Sequence, residues 1–470
     1  MPISDYLKAG EKVTGFGYGG SESLAMFLQK PGMERFVRKV LSEHLTTTHW
    51  HEGEHDVMLP PYAKAKAQAD YLLGLPASVK LYFPEVLDVV ERDRVELEGN
   101  TRTVYHELIY DMTFVSGIEV SEFVRQYQPP AKIVAILYSE LFRFLRERIH
   151  SERRRVPGGR TLERSYFEKI ERRLELSQET APKTFNDCLL RAEEIMLNGE
   201  TLRNIGPILK TLRGNPQFLK VLEPKFHSLV MGDTNTENIK IGNIDPLLEA
   251  MELENPSFNP PPFTAETLQI RFLDPRAIGF HEHGEDTGAD DPMYDNKPWH
   301  NSLGNYDMIH GEHFDLVYLE QEDRPHLSVM FHKDTPYQMS YERIDAYFAE
   351  AMRTAWKYDD PTSDVSQNDP YWLIRFVFLM GTHFMAMPPF HFSRTRDETA
   401  DAERPVPQPT MSRTIAISRR WVEEGTLIDD PQHQRRPLAI YAEGIKWLNL
   451  TLDMLEGKTT SFLGVPVPKI

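Results

Sequence analysis

The chain has 470 residues, of which 40% are hydrophobic, 11% aromatic and 26% charged. This composition is typical of a globular protein rather than a disordered one, and the length is sufficient for more than one lobe or domain. The formal net charge of −18 argues against non-specific binding to nucleic acid or to anionic lipid, because both attract basic surfaces.

Cysteine usage and apolar segments indicate the compartment. The single cysteine, Cys188, cannot form an internal disulfide, which is typical of proteins in a reducing cytosol. The first residues lack the charged and then apolar layout of a signal peptide. The most apolar segment, 372–390, is interrupted by Arg375, His383 and Pro388, so it predicts a core helix rather than a membrane span. We expect a soluble, cytoplasmic protein without a membrane partner, and no particular oligomeric state is predicted.

The first hundred residues alternate short β-like runs with turn residues. An alanine-rich segment, 62–75, predicts a helix between two pairs of strands. The strands are predicted at 24–28, 35–41, 82–90 and 103–112.

Beyond residue 116 the apolar spacing changes and predicts mostly helices. The only strands predicted in this part are short and lie around Asp233 and Asp274. The proline-containing segments 245–267 and 394–410 are predicted to be loops or disordered insertions. Helices are predicted at 132–149, 163–176, 185–197, 341–358, 371–387 and 439–455.

Two short segments carry acidic and amide side chains that suit phosphoryl transfer. Asp233 precedes Asn238 by five residues in Met231-Gly-Asp-Thr-Asn-Thr-Glu-Asn238, and Asp274 follows a second apolar run. Phosphoryl transfer needs one carboxylate that orients the attacking hydroxyl, and further oxygens that hold Mg²⁺ against the phosphates. We predict that Asp233 is the catalytic base and that Asn238 and Asp274 are metal ligands. Two ordinary turns rich in Asp and Asn are the alternative interpretation.

Glycines near the N-terminus suit a loop that holds nucleotide phosphates. Glycine has no Cβ, so backbone N–H groups can approach phosphate oxygens closely, although a hairpin turn explains the same pattern. The residues predicted to lie under the phosphates are Gly17, Gly19, Gly20 and Ser21. Lys39, in the next strand, is predicted to reach the α- and β-phosphates, with Arg38 on the opposite face as a rival.

The predicted helix at 62–75 offers two partners for Lys39, which are Gln68 and Asp70. We favour Gln68, which can hydrogen-bond the ammonium group but leaves its charge uncompensated. A buried polar cap is the alternative role for this glutamine.

Three further charged clusters have functional and structural interpretations. Four histidines between His44 and His55 suggest a transition-metal site, but their spacing matches no defined zinc pattern. Arg153-Arg154-Arg155 suits a phosphorylated substrate, and the acidic stretch 282–291 suits an amine-bearing one. A solvated loop or charge run explains each of them as well.

The catalytic segment resembles the His-Gly-Asp-x-x-x-x-Asn loop of aminoglycoside-phosphotransferase-like kinases. Segment 272–279 is similar to the Ile-Asp-Pro-Arg-Gly metal-binding strand of a bacterial branch of that superfamily. Asp291-Pro-Met-Tyr-Asp295 and the run from His300 to Asp307 resemble the pattern that follows there. The likeness spans residues 15–390 or so. It implies an α+β, two-lobed, protein-kinase-like fold, with a small antiparallel-sheet N-lobe (1–115) and a larger, mostly helical C-lobe (116–470).

The resemblance also implies ligands and residue roles. ATP or GTP would bind with Mg²⁺, and the adenine would lie near Asp111 and Thr113, mainly against backbone groups. Asp295 would support the catalytic loop. One departure is Met231, which replaces a loop histidine whose hydrogen bond a thioether reproduces poorly.

The resemblance implies transfer of the ATP γ-phosphate to a hydroxyl of a small molecule, such as a sugar or amino sugar. The alternative hypothesis is a catalytically impaired nucleotide-binding scaffold of the pseudokinase type, which Gln68 and Met231 motivate. A protein kinase is a weaker hypothesis, because no Ala-Pro-Glu segment follows Asp274.

Overall fold

The computed structural model describes residues 3–17, 24–42, 61–98, 101–182, 184–276, 288–320, 324–389, 391–392 and 435–470. Within these ranges the fold is mixed α+β, with an antiparallel sheet near the N-terminus and mainly helices after it, as predicted. The predicted loop residues Gly19, Gly20 and Ser21 lie outside the described residues, as do the histidine cluster and segment 394–410.

The N-terminal sheet has five strands in the order β1-β2-β3-β5-β4. The strands are β1 (Lys12–Gly17), β2 (Leu24–Gln29), β3 (Phe36–Ser42), β4 (Val86–Glu98) and β5 (Thr101–Thr113). The predicted helix is present as α1 (Pro61–Leu73) and is followed by the short α2 (Ala77–Lys80).

Side chains alternate across β3, as the two-residue period of a strand requires. Val37 packs in a small core with Ala69 of α1, whereas Phe36 and Val40 pack with Tyr6 in a separate core. Lys39 therefore shares its face of the sheet with α1, and its neighbour Arg38 lies on the opposite face.

Short strands connect the sheet to the helical part. The strands β6 (Ile118–Glu119), β10 (Ile239–Ile241) and β11 (Arg271–Phe272) form a sheet in the order β11-β10-β6. The strands β9 (Ser228–Leu229) and β12 (Ala289–Asp290) form an antiparallel pair. The predicted short strands around Asp233 and Asp274 are thus present.

The large core is built mainly from helices, among which Trp372–Met385 and Arg435–Leu455 pack closely together. None of the helices in the described ranges combines the length and apolarity that a membrane crossing requires. The helices after β6 are α3 (Val120–Tyr127), α4 (Ala131–Phe144), α5 (Glu168–Thr180), α6 (Ile205–Gly214), α7 (Pro216–Leu222), α8 (Asp245–Met251), α9 (Lys297–Ser302), α10 (Tyr306–His310), α11 (Gln338–Tyr341), α12 (Phe348–Trp356), α13 (Asp364–Asn368), α14 (Trp372–Met385) and α15 (Arg435–Leu455).

Three predictions for this part of the chain were wrong, the first being that strands lie only around Asp233 and Asp274. Within segment 185–197, which was predicted to be a helix, Glu194–Leu197 form the strand β7 instead. This strand belongs to a four-stranded sheet in the order β13-β14-β7-β8. The loop predicted at 245–267 begins with the helix α8. The other strands of that sheet are β8 (Glu200–Arg203), β13 (Phe314–Leu319) and β14 (His326–Phe331), and a small hairpin is formed by β15 (Ser461–Phe462) and β16 (Val465–Pro466).

Candidate active site

The loop that carries Asp233 is held by the buried carboxylate of Asp295. Asp295 accepts hydrogen bonds from the backbone N–H groups of Met231 at 2.9 Å and Gly232 at 2.7 Å. The Thr234 hydroxyl donates to the Asp295 carbonyl at 2.9 Å, and His150 Nε2 lies 2.9 Å from the Asp295 carboxylate. A carboxylate with several N–H donors fixes a loop firmly, so the predicted supporting role of Asp295 agrees with its contacts.

Gly232 makes this loop geometry possible. Its φ of +79° lies in the left-handed region, and a Cβ atom there would stand 2.6 Å from the carbonyl oxygen of Arg276. The backbone of Arg276 also donates to the Met231 carbonyl at 2.9 Å. The segment after Asp274 is therefore packed directly against the Asp233 loop.

Two cations contact the Asp233 carboxylate, which is only 2% exposed. Lys297 Nζ lies 2.5 Å from Oδ1, and Arg276 Nη2 lies 2.6 Å from Oδ2. Burial alone would raise the pKa of Asp233, but Arg276 and Lys297 outweigh it and hold that pKa below its ordinary value. Asp233 is consequently ionised at neutral pH.

Asn238 and Asp274 lie at the same end of two paired strands. Ile239 of β10 pairs with Phe272 of β11, and the Leu273 N–H donates to the Asn238 carbonyl at 2.7 Å. The Asn238 side-chain N–H₂ donates to the Asp233 carbonyl at 3.0 Å. The three residues predicted from the sequence motif are thus brought together at one site.

Asp274 has an unusual backbone conformation, with φ of +50°. Asp and Asn adopt the left-handed region more readily than most residues, and such conformations cluster at functional sites. An amide and a carboxylate supply the oxygen ligands that Mg²⁺ favours, so the donor set at Asn238 and Asp274 fits that ion.

Lys39 forms an ion pair with the Asp274 carboxylate and donates to Gln68 Oε1 at 3.0 Å. Gln68 Nε2 in turn donates to Asp274 at 2.9 Å, and the Tyr110 hydroxyl donates to Gln68 Oε1 at 2.6 Å. The predicted hydrogen bond between Gln68 and Lys39 is therefore present, but the charge of Lys39 is not left uncompensated as predicted, because Asp274 pairs with it. Burial would raise the pKa of Asp274, but Lys39 lowers it to about 2. Burial of Lys39 is likewise outweighed by Asp274, and the pKa of the ammonium group is raised.

The side chain of Asp111 is paired with Arg38 on the face of the sheet opposite to Lys39. Its carboxylate accepts two hydrogen bonds from Arg38 at 2.7 Å, and the same guanidinium group contacts Glu11 at 2.7 Å. Asp111 pairs with Arg38 on β3 and with Asp88 on β4, so it lies in the interior of the sheet. These contacts give Asp111 a structural role and take its side chain away from Lys39.

The other predicted nucleotide contacts lie at strand ends. Thr113, the last residue of β5, donates its N–H to the Glu85 carbonyl at 2.9 Å, and its hydroxyl accepts from the Glu85 N–H at 2.9 Å. Gly17 ends β1 and pairs with Ala25. Their predicted contacts with adenine and phosphate remain predictions.

Two further charged segments have structural partners. Arg154 pairs with Asp364 at 2.8 Å, and Arg153 donates to the Gly74 carbonyl. In the acidic stretch, Asp291 is buried and pairs with Arg375 of α14 at 2.5 Å. Residues 282–287 of the acidic stretch lie outside the described residues, and the predicted contacts of both segments with a substrate remain predictions.

Four residues of this site were not predicted from the sequence. Arg276 stood in the quoted Asp-Pro-Arg motif, and Lys297 lies two residues after Asp295, so their positions in the motif were available signals. Tyr110 was placed in the predicted strand 103–112 but was given no role, and His150 gave no signal, because only the packing of the turn after α4 brings it to the site.

No protein-family model matches the chain, and no curated protein sequence is significantly similar to it.

Proposed function

We propose that the protein is a Mg²⁺- and ATP-dependent phosphotransferase that acts on a hydroxyl of a small molecule. The observation that supports this most is the convergence of Asp233, Asn238 and Asp274 at one strand end, beside the buried Lys39. A Mg²⁺ ion held by Asn238 and Asp274 would neutralise negative charge on the nucleotide phosphates. We further propose a two-lobed, kinase-like fold and membership of the aminoglycoside-phosphotransferase-like superfamily.

Asp233 would orient the acceptor hydroxyl and take its proton. A carboxylate with a lowered pKa is a weak base, so positioning of the hydroxyl would contribute more than early proton removal. Arg276 and Lys297, which contact Asp233, would also stabilise negative charge on the phosphoryl group in transfer.

Lys39 and the backbone near Gly17 would hold the nucleotide phosphates. Lys39 now pairs with Asp274, so nucleotide binding would exchange that ion pair for contacts of the ammonium group with phosphate oxygens. The linker 114–117, which follows β5, is a better adenine contact than Asp111, because Asp111 lies within the sheet. Gly117 holds this linker close to β10, since a Cβ there would lie 2.4 Å from the Ile241 carbonyl oxygen.

The Asp233→Asn variant tests the catalytic proposal. It should reduce nucleotide-dependent phosphorylation by about 10³-fold or more while leaving nucleotide affinity within about threefold, because Asp233 acts on the acceptor. Asp334→Asn removes the same charge at an exposed position, so this control should keep normal phosphorylation activity and nucleotide affinity. Phosphate transfer to a library of sugars, amino sugars and other alcohols gives the measurement. Near-normal transfer by Asp233→Asn would exclude Asp233 as the base.

A nucleotide-binding protein without catalysis is the second candidate. It is favoured by the engagement of Asp274 with both Lys39 and Gln68, which competes with metal binding. Nucleotide binding that is independent of Mg²⁺, together with no phosphate transfer to any alcohol, would support this candidate instead.

A further inference from the structure

The ring of Tyr294 is surrounded by basic groups beside Asp233. Lys169 Nζ lies 4.7 Å from the centre of this ring and Lys297 Nζ lies 5.7 Å from it. The imidazole of His383, in α14, is centred 4.7 Å from the same ring. Lys169 also donates a hydrogen bond to the Tyr294 hydroxyl. Residues from α5, α9 and α14 therefore meet around one aromatic ring, next to the proposed catalytic base.

Lys169 lies among both cations and carboxylates near this ring. Asp233 already has two cationic partners, Lys297 and Arg276. Burial of Lys169, with repulsion from Arg173 and Arg276, lowers the pKa of its ammonium group to about 7, despite attraction from Asp290 and Asp233.

Two buried histidines in the same region lack hydrogen-bond partners. His300 is 1% exposed and His383 6% exposed, and none of their four ring nitrogens has a partner within the described part of the chain. Their rings are centred 5.8 Å apart. Burial keeps both imidazoles neutral, so each offers one donor and one acceptor. Unpaired buried polar atoms are costly, so these nitrogens call for ordered water or a polar ligand.

We propose that the acceptor is an alcohol that carries an oxyanion, either a phosphate or a carboxylate, and that Lys169 and His383 bind this group beside Asp233. The inference rests on the proposed function and narrows its substrate class. A protonated Lys169 would repel the ammonium group of an amino sugar, whereas it would attract an oxyanion, which could also accept a hydrogen bond from His383.

Calorimetric titration of the full-length protein with inorganic phosphate tests for the oxyanion site. Lys169→Met should weaken phosphate binding about tenfold or more, whereas Lys169→Arg should retain it because the cation is kept. Lys333→Met is the matched control, since it removes one exposed positive charge, and it should bind phosphate normally. The Lys39→Met variant tests whether phosphate binds at the proposed nucleotide-phosphate site instead of at Lys169. Binding of neither phosphate nor glycerate by the natural protein, or loss of phosphate binding in Lys39→Met but not in Lys169→Met, would overturn the proposal.

The two oxyanions are distinguished by probes with one carbon skeleton. Glycerol 3-phosphate and glycerate carry a phosphate and a carboxylate, glycerol carries neither, and 3-amino-1,2-propanediol carries an amine. At least one anionic probe should bind about tenfold more tightly than glycerol, and the tighter of the two identifies the oxyanion. Equal or tighter binding of glycerol or of the amine would contradict the proposal.

Failure of this proposal is distinguishable from failure of the proposed function. Asp233→Asn should still bind phosphate, because the change removes a negative charge from the site. Phosphate binding without phosphorylation of any alcohol would remove the catalytic proposal and leave the oxyanion site. Phosphorylation of neutral or amine-bearing alcohols without phosphate binding would remove the oxyanion site and leave the catalytic proposal.

Discussion

The backbone N–H of Asp233 donates a hydrogen bond to the sulfur of Met231 at 3.1 Å. Met231 is fully buried, and its own N–H donates to Asp295, so the loop is supported from both sides. A thioether is a weak acceptor, and the kinases that the loop resembles in sequence have a histidine at this position. In this chain a histidine from elsewhere, His150, contacts Asp295 instead.

The Met231→Leu variant tests the sulfur contact, because leucine has nearly the volume of methionine but no acceptor. The buried Asp233 N–H would lose its partner, which costs about 1–3 kcal/mol of the free energy of unfolding. Turnover in the proposed phosphate transfer should fall about tenfold, because Asp233 would be misplaced. Met352→Leu, a buried change in α12, controls for loss of thioether packing. Equal effects of the two variants on turnover would show that the sulfur contact is unimportant.

Gly232→Ala should damage the same loop for a steric reason. The new Cβ would meet the Arg276 carbonyl oxygen at 2.6 Å in a backbone with φ of +79°. Gly199→Ala is a matched control, because Gly199 has a φ of +86° but no atom within 4 Å of its Cβ position. We expect the control to lose about 1 kcal/mol of unfolding free energy and Gly232→Ala to lose about 2–4 kcal/mol. Urea denaturation measures both, and similar losses would mean that the loop shifts freely.

The missed sheet shows why part of the fold was not predictable from apolar spacing alone. Residues of β7 follow a helix-like pattern, but Met196 and Leu197 pair with His326 and Leu327 of β14, about 130 positions away in the chain. A local signal was nevertheless available. Asn198 and Gly199 both have positive φ, and Asn-Gly between two strands is a strong hairpin signal.

The candidate site divides in a similar way. The proximity of Asp233, Asn238 and Asp274 could be predicted, because it follows from a short motif and two adjacent strands. Lys169 and His383 were not, since they lie on helices whose contacts depend on packing between distant segments. The outer part of the site, where an acceptor would bind, therefore required the structure.

Asp307 predicts a pH dependence of stability. It is buried and accepts hydrogen bonds from Asn301 and from the Tyr341 hydroxyl, both at 2.6 Å. Burial raises the pKa of Asp307 from 3.8 to about 7. Between these values the unfolded chain releases the proton and the folded chain keeps it, so this group lowers the free energy of unfolding as the pH rises, by roughly 4 kcal/mol at most.

Asp307→Asn should remove this dependence, because the side chain is neutral at all pH values and the Tyr341 hydroxyl can turn to accept. The stability of the variant relative to the natural protein should therefore increase from about pH 4 to about pH 8. Urea denaturation across this range provides the measurement. A constant difference between the two proteins would show that Asp307 titrates normally in the fold.

Arg38 and Lys39 are adjacent cations on opposite faces of β3, and their substitutions should have different consequences. Arg38→Met would leave the buried carboxylates of Asp111 and Glu11 without their main partner, so it should cost about 3–5 kcal/mol of unfolding free energy. Nucleotide affinity of the folded fraction should be unaffected, because these groups lie away from Asp274.

Lys39→Met should instead weaken binding of a non-hydrolysable ATP analogue by about tenfold or more, since it removes the proposed phosphate ligand. Its stability loss should be smaller than that of Arg38→Met, because Asp274 keeps its bond from Gln68 and its side chain is 26% exposed to water. Urea denaturation and analogue titration of both variants measure the two effects. If Arg38→Met weakened analogue binding and Lys39→Met did not, the nucleotide would lie on the other face of the sheet, and the proposed roles of Lys39 and Asp274 would be wrong.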